Sequence, residues 1–377
     1  MKIRYVVLLV ILSNLGLFIY GIYWSGVNEP HPLAIEGQNY PAQSAPFIAT
    51  RVQGMQIPEG ELIARLVLIG DAGDPAEINR ENLAMLKEWS QAEAERTVTL
   101  YLGDNVYSYG FEPDKQARSE AILGAQLEAG GVRKIVIPGN HDWGHSHGNL
   151  VDRIIAQQEF VDAWPGAEFY PRNGCPGPEV VSLIGQDLGL DRPVTMIVVD
   201  TQWFVSPLQR PDCDGLAFYE VMAQVEDLLE QYSGHHVIVT SHHPIRTTGP
   251  HGGFQRELAR KVYQGLTGFQ GTLGKPLYRA VMGDYAKAIG SGRPLMYAVG
   301  HEHSLQLHEG GDIAQYLLVS GAGAVEHVNN VTAQEDTLFA HAHAGFTVLD
   351  FIDNDGQGSI VLRMIESGKG EVFSMLL

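Results

Sequence analysis

The sequence predicts an α/β fold, a four-layer αββα sandwich of two stacked mixed β-sheets flanked by helices. Three observations predict it. Short apolar runs alternate with amphipathic stretches, the pattern of parallel strands covered by helices. Five short blocks, four of them opening on glycine, each close one of those runs, where open α/β sheets keep their ligand crevice. Beyond Ile313 the text turns all-β, divided by Gly, Asn and Asp.

The elements follow in order. Lys2 and Arg4 precede an uncharged, apolar stretch over Tyr5–Trp24, long enough to span a bilayer. Basic residues on the short leading side place residues 1–4 in the cytoplasm. The stretch reads as an uncleaved anchor; a cleaved signal peptide is the alternative, although no small-x-small site follows it. Either reading puts the rest of the chain outside the cytoplasm, in the periplasm or at the cell exterior. Residues 25–61, rich in Pro, Gly, Gln and Ala, read as a linker or extended segment, and 62–377 as the catalytic domain. Within it, Arg65–Ile69 is a buried strand, and a helix follows from about Ala76 to Glu95 with Leu83, Leu86 and Trp89 on one face. Asp74 before Pro75 reads as its N-cap. A strand over Thr97–Leu102, a helix over about Lys115–Ala129 and a strand over Lys134–Ile137 complete βαβαβ. Further strands lie at Thr195–Val199, His236–Val239 and Met296–Val299, with a helix around Ala217–Gln231. The last strands are Gln315–Val319, Gly345–Ile352, Gly358–Ile365 and Glu371–Leu376, with a hairpin turn at Asn354-Asp355-Gly356.

Composition narrows the function. Lys and Arg number 25 against 44 Asp and Glu, a formal net charge of -19, and no long basic run occurs. A nucleic-acid-binding surface is not expected. The two cysteines, Cys175 and Cys213, both sit in loop-like sequence, too few for a thiolate metal site. They are either one loop-to-loop disulfide, if the compartment is oxidising, or two free thiols.

The chemistry lies in the five blocks: Gly70-Asp71-Ala72-Gly73, Gly103-Asp104-Asn105-Val106-Tyr107, Gly139-Asn140-His141-Asp142, Val239-Thr240-Ser241-His242 and Gly300-His301-Glu302-His303. Asp71, Asp104, Tyr107, Asn140, His242, His301 and His303 supply seven oxygen and nitrogen donors, a set that suits two hard or borderline cations. A pair of ions is the usual device for in-line displacement at phosphorus. Asp104 and Tyr107, three residues apart, can point at one ion, and a phenolate there calls for a strongly acidic metal such as Fe(III). Of His242 and His243, neighbours on a strand, one faces the site, and His242 is the choice. His301 and His303 share a side if the strand stays extended. Asp142 could orient the His141 ring. His145 and His147 read as solvated loop residues, and His341-Ala342-His343 as structural or surface.

Taken together, Gly-Asp-x-Gly, Gly-Asp-x-x-Tyr, Gly-Asn-His-Asp, Val-x-x-His and Gly-His-x-His resemble the purple acid phosphatases, within the calcineurin-like metallophosphoesterase superfamily. The likeness is to the small, tartrate-resistant type, and Tyr107 is the position that marks this group. His242-His243-Pro244, Gly249-Pro250-His251, Ser304-Leu305-Gln306 and Ser320-Gly321-Ala322-Gly323 extend it, from about Arg65 to Leu377. The resemblance implies the metallophosphoesterase fold and a binuclear centre of Fe(III) with a divalent Fe, Zn or Mn. Asp71 would bridge the ions, Asp104, Tyr107 and His303 would complete the Fe(III) site, and Asn140, His242 and His301 would hold the divalent ion. His141 and His251 would act outside the metal shell on phosphate and the leaving oxygen. The loop Ile245-Arg246-Thr247-Thr248 departs from the family pattern, and Arg246 could bind phosphate instead of His251, or be exposed.

The implied activity is acid phosphatase: hydrolysis of phosphomonoesters, with a hydroxide held at the metals as nucleophile. A phosphodiesterase or nucleotide hydrolase with the same centre is the alternative within that chemistry. A membrane-anchored protein that keeps the metals without hydrolysis is the alternative outside it.

Overall fold

The computed structural model describes residues 38–40, 45–145, 151–185, 190–206, 211–213, 216–251, 276–354 and 356–377. The stretch expected as a membrane anchor, 5–24, lies outside these, as does His147. Among the described residues no helix is long and apolar enough to cross a membrane.

The leading segment supplies two short strands, β1 (Gln38–Tyr40) and β2 (Phe47–Ile48). A seven-stranded sheet is built on β3 (Glu61–Ile69), β4 (Thr97–Tyr101), β5 (Arg133–Val136) and β6 (Ala167–Phe169), all parallel. The eight-stranded sheet has β7 (Glu179–Ile184), β8 (Val194–Val198), β9 (His236–Thr240), β10 (Met296–Val299), β11 (Leu305–Glu309) and β12 (Tyr316–Ser320). The chain then adds β13 (Val331–Ala333), which pairs with β1, and β14 (Thr337–His341), which carries β2 on its edge. It ends in β15 (Gly345–Asn354), β16 (Gln357–Glu366) and β17 (Gly370–Leu376). The sheet orders are β17-β16-β15-β3-β4-β5-β6 and β2-β14-β11-β12-β10-β9-β8-β7. Both sheets mix parallel and antiparallel pairs, so the expected class is the observed one.

Alternation explains why the parallel strands read as unbroken apolar runs. Leu66 and Leu68 of β3 join the inter-sheet core with Ile238 of β9 and Ala298 of β10, while Val67 and Ile69 belong to the core beneath the helices. Both faces are buried, so no polar face is left to show. The helices are α1 (Arg80–Gln91), α2 (Gln116–Ala129), α3 (Val151–Asp162), α4 (Gln202–Val205), α5 (Phe218–Gln231) and α6 (Pro276–Gly290). α1 starts later than expected, at Arg80. Asp74 does not cap it; its carboxylate faces His327 Nε2 at 3.2 Å. Asp-Pro marks a turn whichever partner the carboxylate takes, so the misreading is of the partner rather than of the turn.

Two features lock the periphery. Asp350 on β15 takes Arg65 of β3 at 2.6 Å and Arg363 of β16 at 2.8 Å, joining three adjacent strands through one buried carboxylate. Cys175 and Cys213 form a disulfide across a separation of 38 residues, which resolves the two readings of these cysteines.

Candidate metal centre

All five blocks stand at the C-terminal ends of parallel strands: β3, β4 and β5 of one sheet, β9 and β10 of the other. The sheets are joined at that edge, where Gly70 N–H donates to Ser320 O at the end of β12 at 2.7 Å. Sharp turns redirect the chain there. Asp71, Asp104 and His301 have φ of 60°, 54° and 66°, left-handed conformations that cost a non-glycine residue energy and concentrate at functional sites. Close approach also needs glycine. A Cβ on Gly139 would lie 2.3 Å from Asp104 Oδ1, and one on Gly300 2.5 Å from Asp71 Oδ2.

The seven expected donors converge in two groups. Tyr107 Oη donates to Asp71 Oδ1 at 3.2 Å and lies 3.3 Å from His303 Nε2, which is itself 3.3 Å from Asp71 Oδ1. In the second group His242 Nε2 lies 3.3 Å from Asp104 Oδ2, 3.2 Å from Asn140 Oδ1 and 3.1 Å from His301 Nδ1. Ligand atoms of Asp104, His242 and His301 all fall within 4.8 Å of one another. This differs from the expected division, which gave Asp71 to both ions and Asp104 to the tyrosine's ion. The two histidines of Gly-His-x-His reach the cluster by a route other than the extended one: β10 ends at Val299, His301 turns in a left-handed conformation, and the two rings join different groups.

Backbone carbonyls fix the imidazole tautomers. His242 Nδ1 donates to Leu102 O at 2.9 Å and His303 Nδ1 to His327 O at 2.9 Å, which aims each Nε2 at the cluster. His243 turns away, to Thr201 Oγ1 at 2.8 Å.

Electrostatics show how poorly the protein balances this cluster alone. Asp71 is fully buried and Asp104 nearly so. Burial would raise Asp104, but the adjacent His242 holds it well below the carboxylate range. Burial would lower His242, yet the Asp104 carboxylate pushes it up to about 10. Burial would lower His303 too, and its bond to Asp71 takes it to about 9. His301 is held well below its usual value, first by burial and then by its neighbouring histidines. Burial, reinforced by Asp71 and Asp104, drives the Tyr107 phenol well above 10. His301 Nε2 is buried without a hydrogen-bond partner, and its Nδ1 faces another imidazole nitrogen. Carboxylate, phenol, amide and imidazole donors crowded this way fit cations better than they fit one another.

The outer residues are placed as follows. His141 donates its backbone N–H to Asp104 Oδ1 at 2.8 Å, its Nδ1 lies 2.6 Å from Ser108 O, and its Nε2 is 3.9 Å from Asp104 Oδ2. Asp142 does not orient it. That buried carboxylate accepts from Gly139 N, Asn105 N and Nδ2, and Gln157 Nε2, and so braces two site loops. His251 stands over the site with its ring 5.0 Å from His303. Arg246 is not available for phosphate: its guanidinium pairs bidentately with Asp336 at 2.8 and 2.7 Å.

Four contributors were not legible as such. Glu302, between the two histidines, is fully buried and accepts from His251 N at 2.8 Å while facing its Nδ1 at 3.2 Å. The segment around 325–330 crosses the site. His327 tilts over Tyr107 with ring centroids 4.7 Å apart, and Asn329 Nδ2 lies 3.0 Å from His251 Nδ1. His145, expected as a solvated residue, stacks on His141 at 4.6 Å.

Comparisons agree with this architecture. A family model described as calcineurin-like phosphoesterase matches residues 64–305. Among solved structures the chain is similar to GAP50, the anchor in the inner membrane complex of Plasmodium, at 18% identity and TM-score 0.56, covering 83% of this chain and 88% of that one. That likeness bears on the fold alone. The 5'-nucleotidase from Candida albicans SC5314 aligns at 12% identity and TM-score 0.40, over 83% of this chain and 54% of the other. A search of curated protein sequences finds no match. With the family model spanning more than half its length, and all five blocks inside that span, the chain belongs to the calcineurin-like phosphoesterase family.

Proposed function

We propose that this protein is a phosphomonoesterase of the purple acid phosphatase type, working on a binuclear centre of Fe(III) and a divalent Fe, Zn or Mn. The observation that carries the reading is the Tyr107 phenol, held between Asp71 and His303. Buried beside two carboxylates, it ionises near neutral pH only against a strongly acidic cation. Asp71, Tyr107 and His303 would hold Fe(III), and Asn140, His242 and His301 the divalent ion. Asp104 is assigned as the shared carboxylate, because it stands one turn before Tyr107 and also belongs to the His242–His301 cluster. Bound ions supply an acidified water and neutralise charge on the phosphoryl oxygens.

The chain's own groups do the rest. His141, with Nδ1 against Ser108 O, presents Nε2 to the substrate side, where it binds phosphate. His251, held by Glu302, delivers a proton to the leaving oxygen. The domain works outside the cytoplasm in this reading, which the Cys175–Cys213 disulfide supports.

The test is elemental analysis and an optical spectrum of the purified protein, with assays on p-nitrophenyl phosphate and its bis-ester. The expected result is iron with a second metal, a visible tyrosinate-to-iron band that Tyr107→Phe abolishes, and preference for the monoester. A coloured Y107F protein refutes the ligand assignment. Preference for the bis-ester makes the protein a phosphodiesterase, and metal without turnover of either makes it a binding protein.

A further inference from the structure

The loop after β9 carries His251, and β11 holds that loop in place. Gln306 of β11 is fully buried. Its Oε1 accepts from Thr248 N at 2.9 Å, from Thr248 Oγ1 at 2.9 Å and from His308 Nε2 at 3.0 Å. A main-chain N–H can only donate, so the amide orientation is fixed and Nε2 is left to donate. It does so to Thr247 Oγ1 at 2.9 Å and to Ser304 Oγ at 2.8 Å.

That orientation sets the next link. Thr247 is buried, and its Oγ1 also accepts from Gly249 N at 3.0 Å, so both its lone pairs are engaged. One hydroxyl hydrogen remains. Two oxygens lie 3.3 Å from Oγ1, Gln306 Oε1 and Glu302 Oε2. The amide oxygen already takes three donors, and a carboxylate oxygen forms the stronger, charge-assisted bond. The hydrogen therefore belongs to Glu302, whose Oε2 also accepts from His251 N at 2.8 Å and whose Oε1 faces His251 Nδ1 at 3.2 Å.

We propose that Gln306 and Thr247 are positioning residues for His251, acting through Glu302. The amide directs the hydroxyl, the hydroxyl holds the carboxylate, and the carboxylate holds the ring. The inference rests on the phosphatase reading, which gives that ring a proton to deliver. A proton donor must stand within hydrogen-bond reach of the leaving oxygen, so a small drift of the ring is enough to lose the assistance. The chain is anchored at its far end as well, where Thr337 Oγ1 on β14 donates to His308 Nδ1 at 3.2 Å.

The experiment compares Thr247→Val, which keeps the shape and deletes the hydroxyl, with Thr247→Ser, which keeps the hydroxyl. Each is assayed on p-nitrophenyl phosphate and on ethyl phosphate, whose leaving alcohol needs the proton more. General acid assistance is worth about 10²–10⁴-fold, so Thr247→Val should lower kcat about tenfold on ethyl phosphate, less than about threefold on p-nitrophenyl phosphate, and leave KM within about twofold. Thr247→Ser should stay within about twofold of the wild type on both esters. Gln306→Glu cannot donate to Thr247 and should reproduce the valine defect; should it fail to fold, the two Thr247 variants decide. In a Glu302→Gln background Thr247→Val should add less than about twofold, because the two residues act in series. Equal loss on both esters, or full additivity in that background, overturns the proposal alone and leaves Thr247 a residue of the fold. A wild type that turns over neither ester removes the phosphatase reading and this proposal with it.

Discussion

At the scale of single residues, Glu302 holds His251 in place, and the proposed acid role of that histidine can be tested through it. Its oxygens receive both the backbone N–H and the ring of His251, and Thr247 Oγ1 adds a third contact at 3.3 Å. Gly249 packs so closely that a Cβ there would lie 2.2 Å from the Glu302 carboxyl carbon. Glu302→Gln keeps the volume and removes the charge. General acid assistance is worth about 10²–10⁴-fold, and partial loss of positioning should lower kcat by about tenfold with little change in KM. The defect should grow as the leaving alcohol becomes more basic, from p-nitrophenyl to alkyl phosphates. A variant equally impaired on both substrates would assign Glu302 a structural role only. Glu302 hides in the sequence because the x of a His-x-His block carries no signal of its own.

At the scale of elements, β15 and the disulfide loop make separable demands. Asp350→Ala would leave the partly buried Arg65 without its carboxylate and Arg363 with Glu371 alone, and a broken buried pair typically costs about 3–5 kcal/mol. Urea unfolding should show that loss, and a change below about 1 kcal/mol would mean water already satisfies the arginines. Opening the 38-residue Cys175–Cys213 loop by Cys175→Ser with Cys213→Ser should cost about 3–4 kcal/mol on the chain-entropy account. Thermal melts of the reduced wild type and the double variant should coincide. Elements with both faces buried were legible in the sequence: β3, β4, β9 and β10 announce themselves as apolar runs such as Arg65–Ile69. β11 was not, because Gln306 and His308 are buried polar residues satisfied by partners distant in sequence. The crossing segment at 325–330 was not, because it contributes a backbone carbonyl and two side chains from Val-Glu-His-Val-Asn-Asn, which has no period. The seven donors were legible because each follows a strand; which carboxylate each tyrosine or histidine meets was not, because that depends on left-handed turns.

For the whole molecule, the centre ties both sheets together. Donors come from β3, β4 and β5 on one side and β9 and β10 on the other, so bound cations would clamp the sandwich along its active edge. A ligand at about a thousand times its dissociation constant stabilises the native state by about 4 kcal/mol. A chelator should therefore lower the melting temperature by several degrees, and re-addition of iron and zinc should restore it. A melt unchanged by chelation would remove the clamp from the stability of the fold.

The left-handed turn at His301 gives that clamp a second edge. In the stripped protein this residue combines an unfavourable backbone angle with a ring nitrogen that has no partner. Glycine relieves both, so His301→Gly should match or exceed the wild type in a chelator melt and fall below it once ions are supplied. The same codon is thus a burden in a metal-poor environment and an asset in a metal-rich one.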